Sequence, residues 1–275
     1  MSHPKIIVVG FRRSGTTLFW RLFRQDARFA AIDEPYKAIW ADRSYFDAPQ
    51  ADSAEADLLA LLGKTDQGFE RVAIIPERDE FTPELTAAQQ DYFRALMAPE
   101  LPVMCEDVRI HFKLRALQAL APDTYLIHLH RSPTAVVSSH LLPSGIKSWR
   151  ARLTNAWRER VFWTREWPSP HWGGRGTPQQ CLEQMQRLLP ADSELDLHQA
   201  PAVAKLLAWW RICYDEVEAV GQAHFGDRYL RVNFEQFCRE PKEGFARIFA
   251  HVGMDAPTIK LDEIRSEEHT SELQS

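Results

Sequence analysis

Lys5-Ile-Ile-Val-Val-Gly10-Phe-Arg-Arg-Ser-Gly15-Thr16-Thr17 is the stretch that decides the fold. Residues 5–9 are a run of Ile and Val, typical of a strand buried on both faces. After the glycine-rich loop, apolar residues recur at helical spacing: Leu18, Phe19, Leu22 and Phe23. A strand, a glycine loop and a helix in this order aim backbone N–H groups and the helix dipole at an anion. We therefore predict a phosphate-binding loop at residues 10–17.

The rest of the chain repeats this alternation of strand and helix. The pattern predicts further strands at residues 103–106, 124–130 and 228–234, and helices at residues 111–120, 201–221 and 241–252. This order is typical of the α/β class, as a P-loop-like three-layer fold with a mainly parallel central sheet flanked by helices. Residues 41–100 fit no element of the scheme. Trp209 and Trp210 fall in the helix at 201–221, where Trp210 is expected to pack in the core.

Length and composition are those of a globular protein. The chain has 275 residues, of which 45% are hydrophobic and 26% charged, which excludes disordered, collagen-like and coiled-coil classes. A net charge of −5 gives no general attraction to nucleic acid or to anionic membranes, so an anion site has to be built locally. The early apolar run is too short for a signal peptide or a membrane span, and we expect a soluble, cytoplasmic protein.

Cysteine and histidine patterns give no sign of a metal site. The four cysteines are far apart in the sequence and are expected to be buried, reduced thiols: Cys105, Cys181, Cys213 and Cys238. His128 and His130 lie two apart on one predicted strand, but no third ligand accompanies them. Packing or polar-edge roles are expected for both.

The phosphate loop departs from the Walker A pattern at one position. Thr16 stands where a Walker A loop carries the lysine that reaches the β- and γ-phosphates, which argues against ATP or GTP. Arg13 provides a cation, while Ser14, Thr16 and Thr17 provide hydroxyl donors. The strand at 124–130 ends in a basic pair and not in Asp, so no Walker B carboxylate is expected and the site is predicted to be free of metal. A Gly-Ser turn with incidental arginines is the alternative interpretation.

A second anion-binding element follows the strand at 124–130. Arg131 comes directly after this strand and is therefore expected at the carboxyl edge of the sheet. Ser132 is a candidate N-cap with Pro133 at the first helical position. Ser139 lies less than two turns further along, so Arg131 and Ser139 are candidates to bind one phosphate together. A surface arginine and an unrelated helical serine explain the pair equally simply.

Two motifs resemble the donor-binding motifs of the sulfotransferase family, in the family's order: Arg13-Ser-Gly-Thr-Thr17 and Leu126-Ile-His-Leu-His-Arg-Ser-Pro-Thr-Ala-Val-Val-Ser-Ser139. Residues 229–241, with the helix that follows them, also resemble the family's C-terminal strand and helix. The resemblance extends over most of residues 5–257. It implies an enzyme whose sulfuryl donor is 3′-phosphoadenosine 5′-phosphosulfate (PAPS), with two separated phosphate sites.

The resemblance also implies roles for individual residues. The residues implied to bind the donor are Arg12, Arg13, Ser14, Gly15, Thr16 and Thr17 at the 5′-phosphosulfate, and Arg131 and Ser139 at the 3′-phosphate. Arg13 would stabilise the charge that develops on the leaving phosphate. Glu34 is the candidate base for the acceptor's proton, with its neighbour Asp33 as the alternative.

Two departures separate the chain from the cytosolic members of the family. Leu18 stands where those members place a Trp near the adenine, so another side chain would have to cover the base. Residues 105–109 lack the Lys-x-His of the cytosolic members at the matching places, which disfavours their histidine-base mechanism. The resemblance is closer to bacterial, carbohydrate-type and tyrosylprotein sulfotransferases.

Residues 147–177 are rich in tryptophan and arginine. Part of this segment fits a helix that faces the core, and the aromatic turn beyond it suits a lid or a wall for the acceptor. A packed insertion explains the same pattern equally well.

The last eleven residues, 265–275, look like the translation of an adapter oligonucleotide used in DNA sequencing. Residues 1–264 are then expected to be one sulfotransferase-like domain that lacks its natural C-terminal segment, and donor binding is expected to be weaker than in the full-length protein.

The expected function is transfer of a sulfuryl group from PAPS to the hydroxyl or amine of a small-molecule, sugar, lipid or peptide acceptor, with no nucleic-acid or membrane partner. A P-loop small-molecule kinase and a truncated, non-catalytic donor-binding protein are the alternatives. The sequence does not determine the oligomeric state or the acceptor.

Overall fold

The fold was analysed in a computed structural model, which describes residues 3–42, 53–63, 71–141 and 179–257. Two regions singled out in the sequence lie outside the described residues. They are the proposed lid or wall, within residues 147–177, and the adapter-like tail at residues 265–275.

A five-stranded parallel sheet forms the centre of the molecule. Its strands are β1 (Lys5–Gly10), β2 (Ala30–Asp33), β3 (Val103–Asp107), β4 (Tyr125–His130) and β5 (Tyr229–Asn233). The spatial order is β2-β3-β1-β4-β5, and every neighbouring pair is parallel. Because all strands run the same way, their carboxyl ends meet at one edge. The predicted α/β fold with a parallel sheet is confirmed.

Helices connect the strands and cover both faces of the sheet. They are α1 (Thr16–Arg24), α2 (Ala54–Leu62), α3 (Ala87–Met97), α4 (Leu114–Leu120), α5 (Pro133–Leu141), α6 (Gln179–Leu188), α7 (Ala202–Val220), α8 (Phe234–Arg239) and α9 (Pro241–His251). One turn of 3-10 helix, His111–Lys113, directly precedes α4. No helix in the described ranges is long and apolar enough to cross a membrane.

The alternation of side chains along β1 produces two separate cores. Ile6 and Val8 pack with α1 and α9 on one face, in a cluster that includes Phe23 and Phe249. Ile7 and Val9 pack on the opposite face against α3, α4 and α7. The continuous apolar run at residues 5–9 therefore reflects burial on both sides. All four cysteine side chains are also buried, as predicted.

Three details differ from the sequence-based expectations. The segment 41–100 contains α2 and α3, and α3 begins with a capping box between Thr86 and Gln89. Phe234 begins α8 and does not end a strand, because the Asn233 side chain caps that helix by accepting a hydrogen bond from the Gln236 amide at 2.7 Å. Trp209 is the fully buried tryptophan of α7, whereas Trp210 is half-buried.

Gly15 allows the phosphate loop to pack against the start of α8. Its φ of 90° lies in the left-handed region, and a β-carbon placed there would come within 2.0 Å of the Phe234 ring. A side chain at this position therefore conflicts with both the backbone conformation and the packing.

We expect Gly15→Ala to destabilise the protein more than Gly253→Ala. Both glycines have positive φ, but the space around Gly253 is open, so its substitution costs about 1–2 kcal/mol for the backbone alone. Overpacking against Phe234 adds roughly 1–3 kcal/mol at Gly15. Thermal unfolding of the two variants measures the difference, and equal losses would contradict the proposed contact.

Candidate functional site

A cleft of about 370 Å³ opens at the carboxyl edge of the sheet. Its walls come from the loop after β1, the start of α1, the segment after β2, and the segments that follow β3 and β4. The lining residues are Arg12, Arg13, Gly15, Thr16, Thr17, Leu18, Glu34, Lys37, Val108, Arg109 and Arg131. Five of the eleven are cationic, so the cleft is suited to a ligand that carries several negative charges.

The phosphate loop presents Arg13 to this cleft. Arg13 has a φ of 70°, a conformation that costs a non-glycine residue free energy, and its side chain is exposed. Helix α1 begins directly afterwards at Thr16, and no side chain caps its first turn. The amide groups of that turn are therefore available to an anion.

Arg131, which directly follows β4, forms a hydrogen bond with the phosphate loop. Its guanidinium donates a hydrogen bond to the Arg13 carbonyl oxygen at 3.0 Å and lies 5.1 Å from the centre of the Phe234 ring. The Nε of Arg13 donates to the Ser139 hydroxyl at 3.0 Å. The two predicted anion-binding elements are thus in direct contact.

The residues predicted to bind the donor divide into two groups. Six of them line the cleft: Arg12, Arg13, Gly15, Thr16, Thr17 and Arg131. Ser14 and Ser139 are buried and are not part of the cleft wall; Ser14 lines a small cavity beside His111 and His128 instead. Ser139 is linked to the cleft by the hydrogen bond that it accepts from Arg13.

Arg12 lines the cleft but is already engaged by a carboxylate. Its guanidinium forms a bidentate ion pair with Glu80, with one N–O distance of 2.9 Å, and lies 5.1 Å from the centre of the Trp209 ring. Both partners are buried. Arg12 therefore anchors the loop to the rest of the fold, and its charge is largely balanced by Glu80.

Glu34 lines the same cleft as Arg13. It directly follows β2 and has a φ of 38°, again in the left-handed region. Its carboxylate accepts a hydrogen bond from Arg109 at 2.8 Å and lies 3.5 Å from the Lys37 ammonium. Although burial opposes ionisation, these two cations hold the pKa of Glu34 below its ordinary value. Glu34 is consequently ionised at neutral pH.

Asp107 fixes the segment that carries Glu34. This fully buried residue ends β3, and its two carboxylate oxygens accept backbone N–H groups from Tyr36 at 3.0 Å and Arg109 at 2.7 Å. Burial raises the pKa of Asp107 to about 6, with Arg109 acting in the opposite direction. One side chain thus ties the backbone beside Glu34 to the backbone of Arg109.

The expectation that no carboxylate stands at the position of a Walker B acid was wrong. It considered β4, but β3, the other neighbour of β1, ends in Glu106 and Asp107. The oxygens of Asp107 are occupied by amides. Within the part of the chain that the structure describes, no three His, Cys, Asp or Glu side chains form a group suited to a metal ion.

Asp33 and Glu106 form a buried carboxyl pair behind Glu34. They are register partners on β2 and β3 and point toward the face covered by α1. Burial and the neighbouring carboxyl raise the pKa of Glu106 well above its usual range, and burial also raises the pKa of Asp33. The pair therefore retains a proton at neutral pH. Asp33 is accordingly a poorer candidate for an ionised base than Glu34.

The histidines near the cleft are neutral. Burial lowers the pKa of His128 to about 3, and burial together with Arg12 lowers the pKa of His111 to about 3. His128 contacts the Tyr229 hydroxyl at 3.0 Å, as expected for a packed polar histidine.

A comparison with models of protein families identifies the family of the chain. A family model described as "Sulfotransferase family" matches residues 4–183, which is more than half of the chain. The chain belongs to the sulfotransferase family. The match covers the phosphate loop, Glu34, Arg109 and Arg131, and therefore every segment that lines the cleft.

Three solved sulfotransferase structures match the chain at low sequence identity. A sulfotransferase domain from the curacin biosynthetic pathway is 14% identical with a TM-score of 0.50, and the match covers 96% of this chain and 77% of that one. A sulfotransferase from Mycobacterium tuberculosis is 16% identical with a TM-score of 0.48, covering 98% and 72%. One from Alicyclobacillus acidocaldarius is 14% identical with a TM-score of 0.44, covering 98% and 90%. The comparison with curated proteins gave no match.

Sequence reasoning missed Arg109, Lys37, Glu80 and Asp107. Residues 105–109 were considered only as a departure from the Lys-x-His of cytosolic sulfotransferases. A usable signal was present, because Arg109 follows a strand end just as Arg131 does, and the ends of parallel strands meet at one edge.

We expect the free energy of unfolding of Glu106→Gln to rise relative to that of the wild type as pH increases. The folded state holds the proton of Glu106 to a higher pH than the unfolded state, so wild-type stability falls as pH rises above the unfolded pKa, roughly 4.3. Glutamine does not titrate and escapes this loss, which is about 1.4 kcal/mol for each unit of pKa difference.

Melting temperatures between pH 5 and pH 8 test this expectation. Glu194→Gln, in an exposed turn, is the matched control and is expected to show no such trend. A stability difference between Glu106→Gln and wild type that does not change with pH would contradict a buried protonated pair.

Proposed function

We propose that this sulfotransferase uses PAPS as its donor and transfers the sulfuryl group to an acceptor hydroxyl or amine, with Glu34 as base and Arg13 at the leaving phosphate. One observation carries the proposal. Among the described residues, Arg13 and Glu34 are the two non-glycine residues with positive φ, and both line one cleft. Strained backbone is kept where the surrounding structure enforces it, which is most often at a functional site.

The donor side of the cleft suits two separate phosphate groups. The open first turn of α1, with the hydroxyls of Thr16 and Thr17, offers donors to a phosphosulfate, and Arg13 adds a cation beside them. Arg131 lines the same cleft, donates to the Arg13 carbonyl oxygen, and is the candidate for binding the 3′-phosphate. Thr16 in place of the Walker A lysine disfavours the kinase alternative.

The acceptor side is built around the Glu34 carboxylate. Bound PAPS supplies an electrophilic sulfur with a phosphate leaving group. As the acceptor oxygen or nitrogen bonds to sulfur and the bond from sulfur to the phosphate oxygen breaks, the acceptor's proton passes to the Glu34 carboxylate. Arg13 stabilises the charge that accumulates on the departing phosphate.

Ligand titration separates the sulfotransferase from a kinase. Isothermal calorimetry is expected to show tight binding of adenosine 3′,5′-bisphosphate and little binding of ATP with Mg²⁺, because the phosphate loop carries Thr16 where a triphosphate-binding loop carries its lysine. Binding of ATP alone would overturn the proposed donor.

Transfer of labelled sulfate from PAPS tests the two catalytic assignments. Arg13→Ala is expected to lower kcat by about 10²–10³-fold and to weaken bisphosphate binding, because the loop cation is lost. Glu34→Gln is expected to lower kcat by about 10²–10⁴-fold while bisphosphate binding persists.

Arg94→Ala is the matched control, because Arg94 is an exposed residue of α3 that forms an ion pair with Asp91 on the same helix. Bisphosphate binding without any transfer by the wild type would favour the non-catalytic alternative. Full activity of Glu34→Gln would remove Glu34 from the mechanism.

A further inference from the structure

Arg109 contacts the candidate base more closely than Lys37 does. Its guanidinium donates to the Glu34 carboxylate at 2.8 Å, whereas the Lys37 ammonium lies 3.5 Å away. The side chains of Arg109 and Glu34 are 13% and 16% exposed, while that of Lys37 is 38% exposed. Because a shielded pair is screened less by water, Arg109 has the larger effect on the Glu34 charge.

The surroundings of Arg109 hold it in this position. Its backbone N–H is bound by Asp107, whose other oxygen binds the Tyr36 N–H two residues after Glu34. Its guanidinium Nε also lies 3.8 Å from Glu80, which is held in turn by Arg12. Backbone and side-chain contacts therefore both hold Arg109 beside Glu34.

We propose that Arg109 is a positioning residue that keeps the Glu34 carboxylate ionised and aimed into the cleft. The inference rests on the proposed function in so far as Glu34 is the base. Without a buried cation, a carboxylate in this site is neutralised by burial and cannot accept a proton. Arg109 sets how strongly Glu34 holds a proton and does not itself touch the reacting atoms.

The charge environment of Glu34 extends beyond this pair. The ionisable groups around it come from its own segment, from β2 and β3, from the phosphate loop and from the 77–80 turn. They are Asp33, Lys37, Glu106, Asp107, Arg109, Arg12 and Glu80. Arg109 and Lys37 oppose the effect of burial most strongly, and Arg12, which is paired with Glu80, adds a weaker effect in the same direction. Asp33 and Glu106 retain a proton between them, and Arg13 lines the same cleft.

Carboxyl ¹³C NMR titration of the full chain tests the proposal without relying on activity. The Glu34 signal is assigned by its loss in Glu34→Gln. In the wild type it is expected to titrate below the ordinary range of a glutamate. In Arg109→Met the midpoint is expected to rise by about one to three pH units, because burial is then poorly compensated. Arg109→Lys is expected to fall between the two.

Two further variants, Lys37→Met and Arg211→Met, serve as a comparison and as a control in the Glu34 titration. Lys37 is partly exposed, so water screens its charge and its removal affects Glu34 less. The Glu34 midpoint is therefore expected to rise by less in Lys37→Met than in Arg109→Met. Arg211 pairs with Asp215 on the exposed face of α7, and its variant is expected to titrate as the wild type does. An unchanged Glu34 midpoint in both Arg109 variants would overturn the proposal.

The pH profile of kcat/KM provides the second readout. The acidic limb is expected to move upward in Arg109→Met by the shift seen in the NMR titration. A uniform loss of activity with an unmoved limb would mark Arg109 as merely structural and contradict the proposal. Absence of sulfate transfer by the wild type would instead refute the proposed function, and the titration alone would then decide the role of Arg109.

Discussion

All five strands run in the same direction, and this constraint brings the ends of β1, β2, β3 and β4 to a single edge of the sheet. Each end contributes one part of the cleft: the phosphate loop, Glu34, Arg109 and Arg131. A hydrophobic core on each face holds the strands in register. The position of every charged group in the site therefore depends on packing elsewhere in the molecule.

Charge is distributed unevenly within the cleft. Two carboxylates lie beside cations: Glu80 binds Arg12, and Glu34 binds Arg109. At the phosphate loop, Arg13 donates to the Ser139 hydroxyl, and Arg131 donates to the Arg13 carbonyl oxygen. Five cationic side chains line this one cleft, which explains how a chain with a net charge of −5 can form an anion site.

Local patterns allowed part of this arrangement to be predicted from sequence. The strand, glycine loop and helix at residues 5–24 are adjacent in the chain, and Arg131 follows a strand directly, so both elements could be recognised. Glu34 required the family resemblance, because β2 is four residues long and carries little periodicity. The position of Arg109 after a strand indicates the sheet edge, but its pairing with Glu34 could not be predicted, since the two lie 75 positions apart and only the β2–β3 pairing brings them together.

The decisive measurement is a structure of the chain with adenosine 3′,5′-bisphosphate bound. We expect the 5′-phosphate on the amides of residues 10–17 beside Arg13, the 3′-phosphate at Arg131, and the Glu34 carboxylate facing the space next to the 5′-phosphate. A nucleotide bound outside this cleft, or a 5′-phosphate turned away from Glu34, would contradict it.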